Sequence, residues 1–349
     1  MRSGLCQAAA IMMAIPYVLL APSAAQAEVV CDGNNDQLKI QAAIDALPQT
    51  GGKVTIASGT CELVTEIRLD KSFLTLEGQG GSTVLEAIGG AAIKQPNGTS
   101  LSHVTLRDFR ISASNSAIQV IFLRTIRYSL LENIHFDGQS SAPPWSSVFL
   151  KLQPDYVANP LHEGNVVYNE FRNLSATNVK VGLALIGYFD PGIRHSKITN
   201  NRFFNITLVD IEWGIRLVQF VDTNHFSNIN IQLNKDVTQP FGVAVNHAAC
   251  PPPASIGACA FEVYANDFEN LAVEIFFDPI VDPDPGAVGL RLGFSRNTQV
   301  LGLTVNNQVA NPILDVDGQS QSHYIVRRGD WQTPGNENSL VIIKKGVVE

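Results

Sequence analysis

One six-residue pattern returns four times along this chain and restricts its architecture more than any other feature. The pattern is N-x-F-x-N-[LI], and it occurs at Asn169–Leu174, Asn201–Ile206, Asn224–Ile229 and Asn266–Leu271. Weaker echoes at 74–78, 104–109, 131–134 and 300–303 keep only the apolar and turn positions. A second pattern, G-[LIV]-x-[LV], follows each strong copy, at Gly182–Leu185, Gly214–Leu217, Gly242–Val245 and Gly289–Leu292. Asn173 to Gly182 and Asn205 to Gly214 are both steps of 9 residues, and the other two copies lengthen that step by insertion. Repeats of this kind are sought first because they decide the fold.

Short stacked strands account for the pattern. Within each copy, apolar and polar residues alternate, as a half-buried strand requires. The second Asn sits where the strand must bend, because Asn tolerates the left-handed conformation. Stacked on its own copies, it can form an amide ladder. Copies start 23 to 42 residues apart, a coil length that suits three short strands and three turns of variable length. One such coil cannot bury its apolar side alone, but a stack of coils closes a continuous core. An ordinary β-sandwich would not repeat six positions in register with a second motif behind them.

Composition agrees with a solenoid. Only 16% of residues are charged against 45% hydrophobic, as expected of an apolar lumen running the length of the molecule. These values exclude a disordered tail and a coiled coil. The net charge of −8 and the lack of basic runs exclude a basic nucleic-acid binder. There is no P-loop, no GxGxxG and no GxSxG, so no cofactor is assigned.

Residues 1–27 read as a secretory signal. Arg2 supplies the positive start, Leu5 to Ala21 is nearly all apolar, and Ala25-Gln26-Ala27 fits small-x-small cleavage. The expected location is therefore secreted or periplasmic, with no membrane attachment after processing. The remaining cysteines, Cys31, Cys61, Cys250 and Cys259, form an even set in an oxidising compartment. Local pairing, Cys31 with Cys61 and Cys250 with Cys259, is favoured among the three possible pairings. Zinc is disfavoured, because no CxxC and no suitably spaced His accompany the cysteines.

Asn35 or Asp36 caps a helix that runs to Leu47, with Leu38, Ile40, Ala43, Ile44 and Leu47 at helical spacing. Gly51-Gly52 ends it, and Lys53–Ile56 starts the first strand. This stretch, NDQLKIQAAIDALPQTGGKVTIASGTCEL, resembles the opening of the pectate-lyase-like superfamily, including its polygalacturonase branch. FLTLEGQGGSTVLEA at 73–87 is similar to its first full coil. The resemblance implies an all-β chain: a right-handed parallel β-helix of about eight or more coils, preceded by an N-terminal capping helix. Because each coil depends on its neighbours, the repeats make residues 28–349 one domain, with 28–60 as the N-terminal cap region, 61–305 as coils and 306–349 as a C-terminal cap. The NTD, DD, GHG and RIK motifs of the polygalacturonase branch are absent, as is the Arg-centred signature of the classical pectate lyases.

Site residues must then come from the repeat itself. The residues flanking each motif Phe point outward and stack into two columns. One holds Glu170, Arg202, His225 and Asp267, and the other Arg172, Phe204, Ser227 and Glu269. The bland alternative is a solvated face of alternating ion pairs. The catalytic candidates are Arg202, His225, Asp267 and Glu269. Asp267 and Glu269 would stand roughly 6.5–7 Å apart by strand rise, a spacing that suits inverting hydrolysis. Arg202 and His225 beside Asp267 suit β-elimination from a uronate. Long excursions near 151–167, 186–199 and 246–264 are expected to wall a groove with Arg216, Asp222 and His225 on its floor. Trp145, Tyr188 and His195, with Glu170 and Arg172, complete the expected substrate contacts, aromatic rings stacking on sugar faces. Asp278, Asp282 and Asp284 raise a calcium cluster, but Pro279, Pro283 and Pro285 favour a plain acidic turn, and no metal is assigned. The leading expectation is a secreted polysaccharide lyase or hydrolase with a polysaccharide as its partner. The alternative is a non-catalytic glycan-binding or structural β-helix.

Overall fold

A computed structural model describes residues 25–113, 119–138, 147–155, 164–187, 196–245, 263–276, 284–292, 295–306, 309–315 and 321–328. The chain is a right-handed parallel β-helix. Three sheets run along it. Sheet A holds Gln26–Val29, Gly52–Ile56 and Leu74–Glu77, then the first parts of Thr105–Ala113, Leu130–Asp137, Glu170–Ile186, Arg202–Val218, His225–Leu233 and Asp267–Ile275. Sheet B starts with Gly59–Leu63 and Thr83–Ala87 and continues in the second parts of those same long strands. Sheet C holds Ile67–Arg68, Ala91–Lys94, Gln119–Leu123, Val148–Leu152, the ends of Glu170–Ile186 and Arg202–Val218, Phe241–Val245 and Val288–Leu292. A short corner rung, such as Ile198–Thr199 and Val221–Asp222, leads back to sheet A.

In the coils that carry the repeat, the bend between A and B is one left-handed residue. Asn173, Asn205, Asn228 and Asn270 have φ of 53°, 53°, 53° and 55°. Their side chains form the expected ladder, Nδ2 donating to the preceding Oδ1 at 3.0–3.3 Å. The first Asn of the motif builds a second ladder, which is buried. Asn169 donates to Asn201, Asn201 to Asn224 and Asn224 to Asn266 at 2.9, 2.9 and 3.0 Å. These residues are 3%, 1%, 1% and 0% exposed, so the amides must satisfy each other and the corner carbonyls within the coil. Between the two ladders the motif Phe points inward. Phe171, Phe203, Phe226 and Phe268 stack at centroid spacings of 4.6, 4.6 and 4.5 Å.

The helix Asp36–Ala46 lies against the first coil. Ile40 and Ile44 are buried, but Leu38 faces solvent at 63% exposure, contrary to its expected place on the apolar face. Asn35 precedes the helix in the left-handed conformation and makes no side-chain cap bond. Asp36, Gln37 and Gln41 instead accept the backbone N–H groups of Glu62, Val64 and Arg68. The helix thereby satisfies edge donors that have no preceding coil to bind. Cys31 and Cys61 form the expected disulfide beside it.

Gln26–Val29 pairs in register with Lys53–Ile56, so the processing point expected after Ala27 falls inside a strand. The segment 1–24, Cys250, Cys259 and most of 306–349 lie outside the described residues. Among the described residues no helix is long and apolar enough to cross a membrane.

Candidate functional site

The two outward columns of sheet A align as the repeat requires. Glu170 pairs with Arg202, Arg202 with His225 and His225 with Asp267. Arg172, Phe204, Ser227 and Glu269 align beside them. Arg172 donates to Glu132 at 2.7 Å and to Glu170 at 3.0 Å. His225 Nε2 lies 3.9 Å from Glu269 Oε2, with the two side chains 44% and 55% exposed. Arg202 and Asp267 are exposed. Glu170, Arg202, Phe204, His225 and Ser227 line a shallow depression of about 470 Å³. Around these columns sheet A is therefore an open face: its strands leave it through single Asn bends at Asn173, Asn205, Asn228 and Asn270, which leave no room for a wall on that side.

The expected groove floor does not assemble as one surface. His225 is on sheet A. Asp222 is on the corner rung, where Lys197 donates to it at 3.1 Å. Arg216 is on sheet C. Trp145, Tyr188 and His195 lie outside the described residues, as do Asp278 and Asp282. Asp284 is exposed and accepts the N–H of Gly286 at 2.8 Å, the local bond of an acidic turn.

Sheet C has the other geometry. Long connections enter and leave its strands, at 138–147, 234–240 and 276–287 before them and at 153–165, 187–197 and 246–262 after them. Its outer side is built by a kink repeated in every coil. Register passes from Val181–Trp213 to Leu183–Ile215, skipping Gly182 and Gly214. Gly and the following Leu or Ile then both face the core, and outward positions fall three residues apart. A Cβ on Gly214 would sit 2.4 Å from the carbonyl oxygen of Gly242, so the signature glycine is required by close approach of the next coil.

The outward rows of sheet C are apolar and cationic. One row carries Val148, Val181, Trp213, Phe241 and Val288, and the other Phe122, Lys151, Ala184, Arg216, Ala244 and Arg291. Phe241, Ala244 and Val288 are buried and, with Trp213, form a cluster separate from the lumen. Trp213 meets Phe241 edge to face at 5.7 Å. Arg216 lies over Trp213 at 4.9 Å, Arg291 over Phe241 at 5.3 Å, and Lys151 and Arg124 over Phe122 at 4.7 and 4.4 Å. Aromatic faces therefore help to hold these cations. Arg124 also makes an ion pair with Asp155.

Lys151 and Arg216 are unusual for an acidic chain. Neither has a carboxylate partner among the described residues, and the Arg216 Nε is buried without a hydrogen bond. Burial, then Arg124, then Arg216, hold Lys151 below the ordinary lysine value. Burial likewise lowers Arg216. A half-buried lysine whose pKa is held below the ordinary value, beside a fixed guanidinium, can hold an anion and gives up its proton more readily than an exposed lysine. Sequence reasoning singled out Arg216 but not Lys151 or Trp213. The missed signal is the x of G-[LIV]-x-[LV], which reads Ala184, Arg216, Ala244 and Arg291 and marks an outward column with cations two coils apart.

No family model matches this chain, and no curated protein matches it. Several solved structures are similar in fold. An alginate lyase from Paenibacillus sp. is 12% identical at a TM-score of 0.49, over 86% of this chain and 95% of that one. An iota-carrageenase complexed to iota-carrageenan fragments is 10% identical at 0.45, over 92% of each. ORF18 of Geobacillus virus E2 is 12% identical at 0.47, over 90% of this chain; the match spans 63% of the viral chain.

Proposed function

We propose that this protein is an exported, carbohydrate-active β-helix that holds an anionic polysaccharide on the outer face of sheet C and cleaves it by β-elimination. The observation that carries this reading is the row Lys151–Ala184–Arg216, with two half-buried cations about 9.6 Å apart along the coil axis, Lys151 over the Phe122 ring and Arg216 over the Trp213 ring. An extended polymer lying along the axis meets both. Its carboxylates supply a counter-charge that no carboxylate of the described residues gives to Lys151 or Arg216, and Trp213 offers a surface for a sugar face. The low dielectric of a half-buried site strengthens that pairing.

The chemistry follows from the same residues. Arg216 binds the carboxylate of a uronate and stabilises the charge that develops on it when the adjacent C5–H bond breaks. Lys151, as a neutral amine, takes the C5 proton. The electron pair forms the C4–C5 double bond, the C4–O bond breaks, and the leaving oxygen takes a proton from solvent. No carboxylate stands on the described outward rows of this face, so paired-carboxylate hydrolysis has no support there.

The test is a panel of uronate-bearing and neutral polysaccharides followed for unsaturated ends and for reducing ends. Unsaturated ends from a uronate polymer, lost in Lys151→Ala and Arg216→Ala, are the expected result. Reducing ends without unsaturation would move the chemistry to Asp267 and Glu269 on sheet A. Silence in both would leave a binding or structural role.

A further inference from the structure

A second surface stands apart from the C face and does not rest on the elimination reading. Four exposed aromatic rings run along the corner before sheet A: Phe73, His103, Tyr128 and Tyr168, stacked at 4.8, 5.5 and 5.3 Å. Their inner faces are spent on one another. Phe204 is different. It is 40% exposed and projects from the open side of sheet A, and its neighbours along the column are Arg172 and Ser227, neither aromatic. Among the described residues no ring covers it.

The groups around that ring are those that recognise hydroxyls. Arg202 stands two residues before Phe204 on the same face and has no carboxylate partner among the described residues. Glu170 lies one rung away, steadied by Arg172 at 3.0 Å, and His225 and Ser227 lie one rung to the other side. Donors and acceptors of both signs therefore surround one free aromatic face in a depression of about 470 Å³. That volume is within the range of small-ligand sites. A pyranose ring has the matching chemistry, with an apolar C–H face for the ring and equatorial hydroxyls for Arg202, Glu170 and Ser227.

We infer that the Phe204 depression is a non-catalytic sugar-binding site, stacking one pyranose of a polysaccharide on the ring while Arg202 and Glu170 hold its hydroxyls. It would anchor polymer on the side of the coil away from the chemistry. The openness that makes sheet A a poor place for proton abstraction suits a surface anchor, which needs no exclusion of water.

Affinity electrophoresis in gels containing galactomannan, xyloglucan or polygalacturonate tests the inference. The expected result is retardation by at least one polymer, weakened about fivefold in Phe204→Ala, the size of one aromatic contact, and restored in Phe204→Trp. Arg202→Ala should weaken it as well. Phe204 and Arg202 are both exposed, so neither change disturbs the core. Equal retardation of wild type and Phe204→Ala on every polymer, or no retardation of wild type by any, would overturn the inference. Neither result bears on the unsaturated products that test sheet C.

Discussion

The side-chain amide of Asn201 donates to Asn224 Oδ1 at 2.9 Å, and the backbone N–H of Asn201 donates to the same oxygen at 3.1 Å. Asn224 in turn donates to the carbonyls of Ile198 and Asp222 and to Asn266, so one buried side chain ties three coils. Asn224→Ala strips two donors of Asn201 and three acceptors at once. Buried partners left unsatisfied are costly, and the loss should be about 3 kcal/mol in denaturant unfolding. The outer ladder supplies the control. Asn228 is exposed, and its two ladder bonds, to Asn205 at 3.3 Å and from Asn270 at 3.2 Å, can be replaced by water, so Asn228→Ala should cost about 1 kcal/mol, mostly for its left-handed backbone, and Asn228→Gly less. Equal costs at the two ladders would contradict this ranking.

Gly214 offers a second test of how the coils meet. A Cβ there would lie 2.4 Å from the Gly242 carbonyl oxygen and 2.6 Å from Ile231 Cδ1. The carbonyl belongs to the next rung and cannot rotate away. Gly214→Ala should therefore lower stability by about 2 to 3 kcal/mol, read as a fall in unfolding midpoint with an unchanged denaturant slope. At the equivalent place in an earlier coil stands Phe149, fully buried, so the tight approach belongs to the later coils that carry the signature.

These two ladders mark what sequence makes legible and what it hides. Register along sheet A followed from the repeat, because a one-residue slip would turn every motif Phe to solvent. The left-handed Asn followed from side-chain chemistry. The buried ladder did not, because the first Asn of the motif looks like any polar strand boundary until the corner carbonyls around it are seen. The outward rows of sheet C were hidden by the kink at the glycine. Strict alternation places Val181, Trp213 and Phe241 in the lumen, but the kink turns them outside with Lys151 and Arg216. The expected groove floor of Arg216, Asp222 and His225 therefore mixes sheet C, the corner rung and sheet A, because the kink hides which outward positions share a face.

Asp36 gives a pH test of the N-terminal contacts. It is fully buried. Burial alone would raise its pKa, but the bond from Lys39 and the backbone N–H groups of Asp32, Glu62 and Gly33 outweigh that, and the net direction is down. A carboxyl held below its unfolded value contributes stability that is complete above the unfolded value and is lost as pH falls through the folded one. Asp36→Asn should thus cost about 2 to 4 kcal/mol at neutral pH. The gap from wild type should close as pH is lowered below about 5. A constant gap across that range would show that the contact does not depend on charge.

Lys151 gives the test closest to function. Burial, Arg124 and Arg216 all disfavour its protonated form, so its pKa lies below that of an ordinary lysine. If the neutral amine takes the substrate proton, the rate should rise with pH through that lowered value and then level. Lys151→Arg keeps the charge and the polymer but cannot deprotonate, so kcat should fall by about a hundredfold or more while binding changes little. Arg124→Gln removes one neighbouring positive charge, which eases protonation of Lys151 and raises its pKa. The rising limb of the pH–rate profile should then move to higher pH, without loss of the plateau. Salt should weaken polymer binding through Arg216 less than through an exposed cation, because a half-buried charge is poorly screened. A limb that stays in place in Arg124→Gln would assign the proton transfer to a group other than Lys151.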